Sequence, residues 1–202
     1  MGLVRMYGGL RRISLCNRHR PGYRHAVICM LLSWVSIAAP NASAEVENSV
    51  KAAFVFNFLR FTEWPAQRLA SPDAALTLCV WSGSAQLSDS LRSLAGRKVD
   101  QHALSVSDID RVEDLQRCHA LFVPEAAQRK LPAGLLRRAE SQDVLTMGDA
   151  EGFTAGGGMM GLLPEGARLR FEINDKAVKR SALRLSSHLY KLGRMTQENP
   201  SP

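Results

Sequence analysis

The chain is short of several things, and each shortage excludes a class of function. Its first 44 residues contain no acidic side chain, although they carry Arg5, Arg11, Arg12, Arg18, Arg20 and Arg24. The apolar run that follows those arginines, Ala26 to Ala39, is too short to cross a bilayer comfortably. Ala42-Ser43-Ala44 then supplies the small-x-small pattern of a signal-peptidase site. Residues 1–44 therefore read as a signal peptide, with Glu45 as the mature N-terminus and the periplasm as the destination. No second long apolar stretch follows, so nothing beyond the leader is expected to span a membrane.

Once the leader is set aside, positive charge is scarce as well. The chain has 26 basic and 19 acidic residues, and six basic and no acidic ones lie in the leader, which leaves 20 against 19. That balance gives no basic surface for nucleic acid or anionic lipid. Four cysteines fall to two, Cys79 and Cys118. In an oxidising compartment these read as a disulfide rather than two free thiols. Closing that loop of about 39 residues would stabilise the fold by about 3 to 4 kcal/mol on the chain-entropy model. There is no C-x-x-C pair, H-E-x-x-H, G-x-S-x-G or paired metal-ligand spacing. His102, His119 and His188 stand far apart and read as ordinary histidines. Cys118 and His119 cannot work as nucleophile and base, since neighbours in a strand point to opposite faces. No cofactor, metal or catalytic residue is called for, and an enzyme is not expected.

What is present is a dense apolar pattern. Lys51 to Pro65, KAAFVFNFLRFTEWP, reads as a core helix with a stripe of Val50, Phe54, Phe58 and Phe61, stopping near Glu63 ahead of Pro65. Strands are expected at 76–81, 103–106, 120–123 and 144–147. Between them lie a helix over 84–94, capped by Ser84 and ended by Gly96, a helical turn around Val112 and Leu115, and a helix over 131–139. Apolar strands alternating with helices predict an α/β fold, a single three-layer domain whose mostly parallel sheet is covered on both faces.

The pattern changes after Gly156-Gly157-Gly158. Strands over 159–163 and 167–174, joined through Pro164-Glu165-Gly166, predict an antiparallel hairpin. In the second, Leu169, Phe171 and Ile173 form the buried face and Arg168, Arg170, Glu172 and Asn174 the wet one. A last helix over 176–192, with Leu185, Leu189 and Leu192 inward, completes a domain over 45–192, and residues 193–202 read as an unstructured tail. Gly152 to Gly161, GFTAGGGMMG, is not a phosphate loop, because its glycines precede a strand instead of opening a helix.

KAAFVFNFLRFTEWP, LTLCVW, CHALFVP, VLTMGDAEGFTAGGGMMGLL and RLRFEIN, in that order and spacing, resemble the YfiR family of periplasmic proteins across Glu45 to Leu192. The resemblance implies a periplasmic repressor of an inner-membrane diguanylate cyclase of YfiN type, acting on its periplasmic sensor domain and lowering cyclic di-GMP and biofilm formation. It also implies an outer-membrane lipoprotein of YfiB type that sequesters the repressor. Cys79 and Cys118 fall where the family has a disulfide; a second bridge found in one branch has no counterpart, since no cysteine lies beyond Cys118. A partner surface of Phe153, Met159, Arg168, Arg170 and Glu172 is the candidate site, with a homodimer as a further option. The rival reading is a periplasmic small-molecule-binding module serving another membrane signalling protein.

Overall fold

The alternation of side chains along the central strands sets up two cores, one on each side of a single sheet. In β2 (Leu76–Trp81), Leu76, Leu78 and Val80 enter one cluster while Cys79 and Trp81 enter the other. In β5 (Ala120–Val123), Ala120 and Phe122 divide from Leu121 and Val123 in the same way. A strand that must be apolar on both faces belongs in the middle of a covered sheet, and all four residues of β5 are fully buried. This computed structural model describes residues 42–196 apart from 72, 83, 84 and 167. Residues 1–41, Ser84 as a helix cap, position 167 and the end of the tail, 197–202, fall outside the described residues.

In chain order the elements are α1 (Ala42–Arg60), β1 (Thr62–Glu63), β2, α2 (Ala85–Arg92), β3 (Lys98–Val99), β4 (His102–Ile109), a 3₁₀ helix (Val112–Arg117) and β5. They continue with α3 (Glu125–Gln128), α4 (Leu135–Ser141), β6 (Leu145–Gly148), β7 (Met160–Glu165), β8 (Arg168–Ile173), α5 (Asp175–Lys179), β9 (Arg184–Leu185), α6 (Ser187–Leu192) and β10 (Arg194–Met195). The eight-stranded sheet has the order β10-β8-β7-β6-β5-β2-β4-β3. Its five central strands, β4-β2-β5-β6-β7, are parallel, and β7 and β8 form the antiparallel hairpin. β1 and β9 make a separate antiparallel pair. The α/β fold with helices on both faces is thus the one the sequence predicts: α1, α2 and α5 supply the larger core, and the 3₁₀ helix, α3 and α4 the smaller.

Several elements depart from expectation, and the helix expected over 131–139 runs instead over Leu135–Ser141, after Gly134 in the left-handed region. The buried face of α1 is Ala52, Val55, Phe56 and Leu59 with Phe58, while Val50 stays 41% exposed and Phe54 and Phe61 only half-buried. The helix stops at Arg60, because Thr62 and Glu63 pair with Leu185 and Arg184 and the Thr62 hydroxyl donates to the Phe58 carbonyl. The single last helix is broken into α5, β9, α6 and β10. Serine hydroxyls break it by competing for backbone N–H groups, Ser181 at Leu183 and Ser186 at His188. Leu189 is buried as expected, but Leu185 is half-buried and Leu192 lies 68% exposed. The tail is ordered further than predicted, since Arg194 and Met195 pair with Glu172 and Ile173.

Candidate functional site

The glycine-rich segment between β6 and β7 is built around one ring. Phe153 is 2% exposed, and a Cβ placed at Gly158 or Gly148 would lie 2.1 or 2.7 Å from its ring carbons. Both glycines are therefore the space the ring occupies. Met159 is fully buried; its N–H donates to Thr146 Oγ1 at 2.9 Å and its carbonyl accepts from Asn174 N at 2.9 Å. Phe153 and Met159 are core residues, so the expected surface that combined them with the hairpin does not form. Asn174 also leaves the wet face. It is fully buried, its Oδ1 capping α5 at Ala177 N and its Nδ2 donating to the Thr154 carbonyl.

What remains of the predicted site is the outer face of the hairpin. Arg168 and Arg170 are exposed, and Glu172 is half-buried with a 2.9 Å hydrogen bond from Thr154 Oγ1. Glu165 receives Arg170 Nε at 2.8 Å and also Arg194 Nη2. Those two guanidiniums, Arg170 first, hold its carboxyl below the usual carboxylate range. Arg194 comes from β10, within the stretch that the sequence predicts to be an unstructured tail. Among the described residues Arg168 makes no ion pair.

A second polar centre was missed altogether. Lys51 Nζ contacts Asp149 Oδ2 at 2.7 Å and Glu47 Oε1 at 3.0 Å, and Asp149 Oδ1 accepts from Glu125 N at 2.7 Å. The Lys51 and Asp149 side chains are only 13% and 5% exposed. Burial works to lower the Lys51 pKa, yet the bonds to Asp149 and Glu47 carry it above its usual value. This pair ties α1 to the carboxyl ends of β5 and β6. The only sequence signal was a lysine inside a phenylalanine-rich helix, and its partner lies 98 residues away.

Each histidine has its own contacts, and His102 Nδ1 lies 2.8 Å from the Ala74 carbonyl. His119 is half-buried: its Nδ1 accepts from Thr77 N at 3.0 Å and its Nε2 lies 2.9 Å from the Arg68 carbonyl. Burial pushes its pKa below the ordinary value, while the bond to Arg68 opposes that shift. His188 stacks on Phe61 with centroids 5.8 Å apart. Among the described residues no group of three or more His, Cys, Asp or Glu side chains is placed to hold a metal ion. Cys79 and Cys118 are joined as a disulfide, and neither is exposed. A cleft of about 290 Å³ lies between α4 and the glycine segment, lined by Gln128, Leu131, Leu136, Arg137 and Phe153 among others. No described helix is long and apolar enough to cross a membrane.

No curated protein matches the sequence. The family model described as YfiR/HmsC-like matches residues 48–194, which run from α1 to the first residue of β10 and take in both cores and the disulfide. The chain belongs to the YfiR/HmsC-like family, a non-catalytic family of periplasmic regulators in cyclic di-GMP signalling.

Proposed function

We propose that this protein is exported by cleavage after Ala44 and represses an inner-membrane diguanylate cyclase of YfiN type by binding its periplasmic sensor domain. An outer-membrane lipoprotein of YfiB type would relieve repression by sequestering it. The observation that carries this reading is the family match over the whole α/β body, 48–194, which leaves the basic leader outside the matched span. Cleavage after Ala44 would leave Glu45 in the first turn of α1, where a carboxylate suits the helix N-terminus.

The physical requirement is differential affinity. A repressor shifts a cyclase toward its inactive state only if it binds the periplasmic domain more tightly in that state. The exposed hairpin face carrying Arg168 and Arg170 is the surface proposed for that contact. Purified chain added to spheroplasts of a strain lacking the gene should lower cyclic di-GMP, whereas heat-unfolded chain should not. Arg168→Glu should reduce that effect with an unchanged Tm, because this exposed side chain makes no ion pair among the described residues. Unchanged cyclic di-GMP with folded chain would overturn the reading. The small-molecule alternative is favoured by the cleft beside α4, and a ligand that raises the Tm of the purified protein would support it.

A further inference from the structure

The hairpin presents an unfinished sheet edge. β7 pairs with all six residues of β8, but on the outer side β10 pairs only with Glu172 and Ile173. In an antiparallel ladder, alternate residues turn their N–H and C=O groups away from the partner strand. The outward carbonyl of Ile173 accepts from Thr196 N. By the same two-residue period, the backbone groups of Leu169 and the N–H of Phe171 also turn outward, and among the described residues no strand meets Leu169 there.

Both faces beside this open edge have a chemistry. On the α1 side, Val46 is 64% and Val50 41% exposed, and they line a groove of about 410 Å³ with Pro164 and Leu169, bordered by Glu47 and Arg168. Strand alternation sets Arg168 and Arg170 opposite in phase to Leu169; both are exposed, Arg168 also borders the groove, and Arg170 already bonds Glu165 at 2.8 Å. We propose that Arg168–Phe171 accepts one extended segment of another protein as an added strand, in which apolar residues alternate with acidic ones. The apolar set would enter the groove and the acidic set would face the arginines, with main-chain bonds holding the segment to the edge.

Two other occupants fit less well. β10 runs parallel to β8, so the chain leaves β10 heading away from Arg168. A second copy adding its own β8 would set Arg168 and Arg170 against the same arginines, which is unfavourable for cross-strand pairs.

The inference deepens the regulator reading and rests on it for the partner being a protein. Its test uses the purified chain and a short synthetic peptide of alternating valine and glutamate, at about 1 mM, with a peptide of the same composition in two blocks as control. NMR should show the Leu169 and Phe171 amides shifted and slowed in hydrogen exchange by the alternating peptide alone. Leu169→Pro removes an outward N–H without removing a bond to β7, and it should abolish binding while the exchange of Leu121 in central β5 stays unchanged. Arg168→Glu with Arg170→Glu should weaken binding by about tenfold or more, as expected for lost charge-assisted contacts. Equal binding of both peptides, perturbation elsewhere, full binding by Leu169→Pro, or a dimer that Leu169→Pro dissolves would each overturn the proposal. If peptide binding fails while the added chain still lowers cyclic di-GMP, strand addition falls and the regulator reading stands.

Discussion

Single residues in this protein act mostly by the space or the bond they provide. Gly158 gives Phe153 its place, and a methyl at 158 would stand 2.1 Å from a ring that is itself buried. Gly158→Ala should cost about 1 to 3 kcal/mol through overpacking and lower the Tm; an unchanged Tm would show that the ring has another place to go. His119 is a brace between two segments, accepting from Thr77 and bonding the Arg68 carbonyl. An imidazolium cannot accept from Thr77, and burial has already lowered the pKa of this ring. The stability it contributes is therefore complete above the unfolded value of about 6.5 and is lost as pH falls through the lower folded value. The Tm should hold above that pH and decline as the pH falls below it, and His119→Asn should flatten the decline. An equal decline in the variant would assign it to other groups. Neither role could be read in the sequence, because each depends on which distant backbone atoms arrive beside the side chain.

At the scale of elements, the central strands are legible because β2, β5 and β6 are apolar on both faces, and β2 and β5 fall on their predicted residues. The phase of α1 was not. With phenylalanines at 54, 56, 58 and 61, more than one stripe fits a helical period. The choice was made by contacts from far along the chain, among them the 2.7 Å Lys51–Asp149 pair and the Phe58–Phe171 edge contact at 5.1 Å between centroids. Phe58→Ala should accordingly cost about 3 to 5 kcal/mol, whereas Val50→Ala, on the exposed side, should stay within about 0.5 kcal/mol. Denaturant unfolding distinguishes these, and equal losses would contradict the observed phase. The last helix was misread for a related reason. Its leucine spacing is helical, but Asp143, from the loop before β6, accepts from Ala182 N across 39 residues and helps turn the chain out of the helix.

Beyond its basic first 44 residues, the chain combines a near-neutral charge balance, a two-sided core and one buried bridge. The disulfide joins β2 to the turn ahead of β5, closing a 39-residue separation inside the smaller core. Cys79→Ser should lower stability by about 3 to 4 kcal/mol on the loop-closure account, and an unchanged Tm would show that the bridge does not constrain the unfolded chain. The fold class and this pairing could be read before any coordinates, since they follow from apolar strands and from the two cysteines that lie beyond the leader-like first 44 residues. Two of the five candidate surface residues could not. Phe153 and Met159 look like an exposed apolar patch beside flexible glycines, and only packing shows that those glycines make a pocket for the ring. Arg168 and Arg170 were correctly placed in the open because strand alternation is local.

The central claim is that this domain acts from outside the inner membrane to hold cyclic di-GMP down. The most direct measurement is intracellular cyclic di-GMP in a strain lacking the gene, complemented either with the full chain or with a form lacking residues 1–44. The account predicts a rise on deletion that the exported chain reverses and the leaderless chain, produced at the same level, does not. Unchanged cyclic di-GMP on deletion, or equal rescue by the leaderless chain, would contradict it.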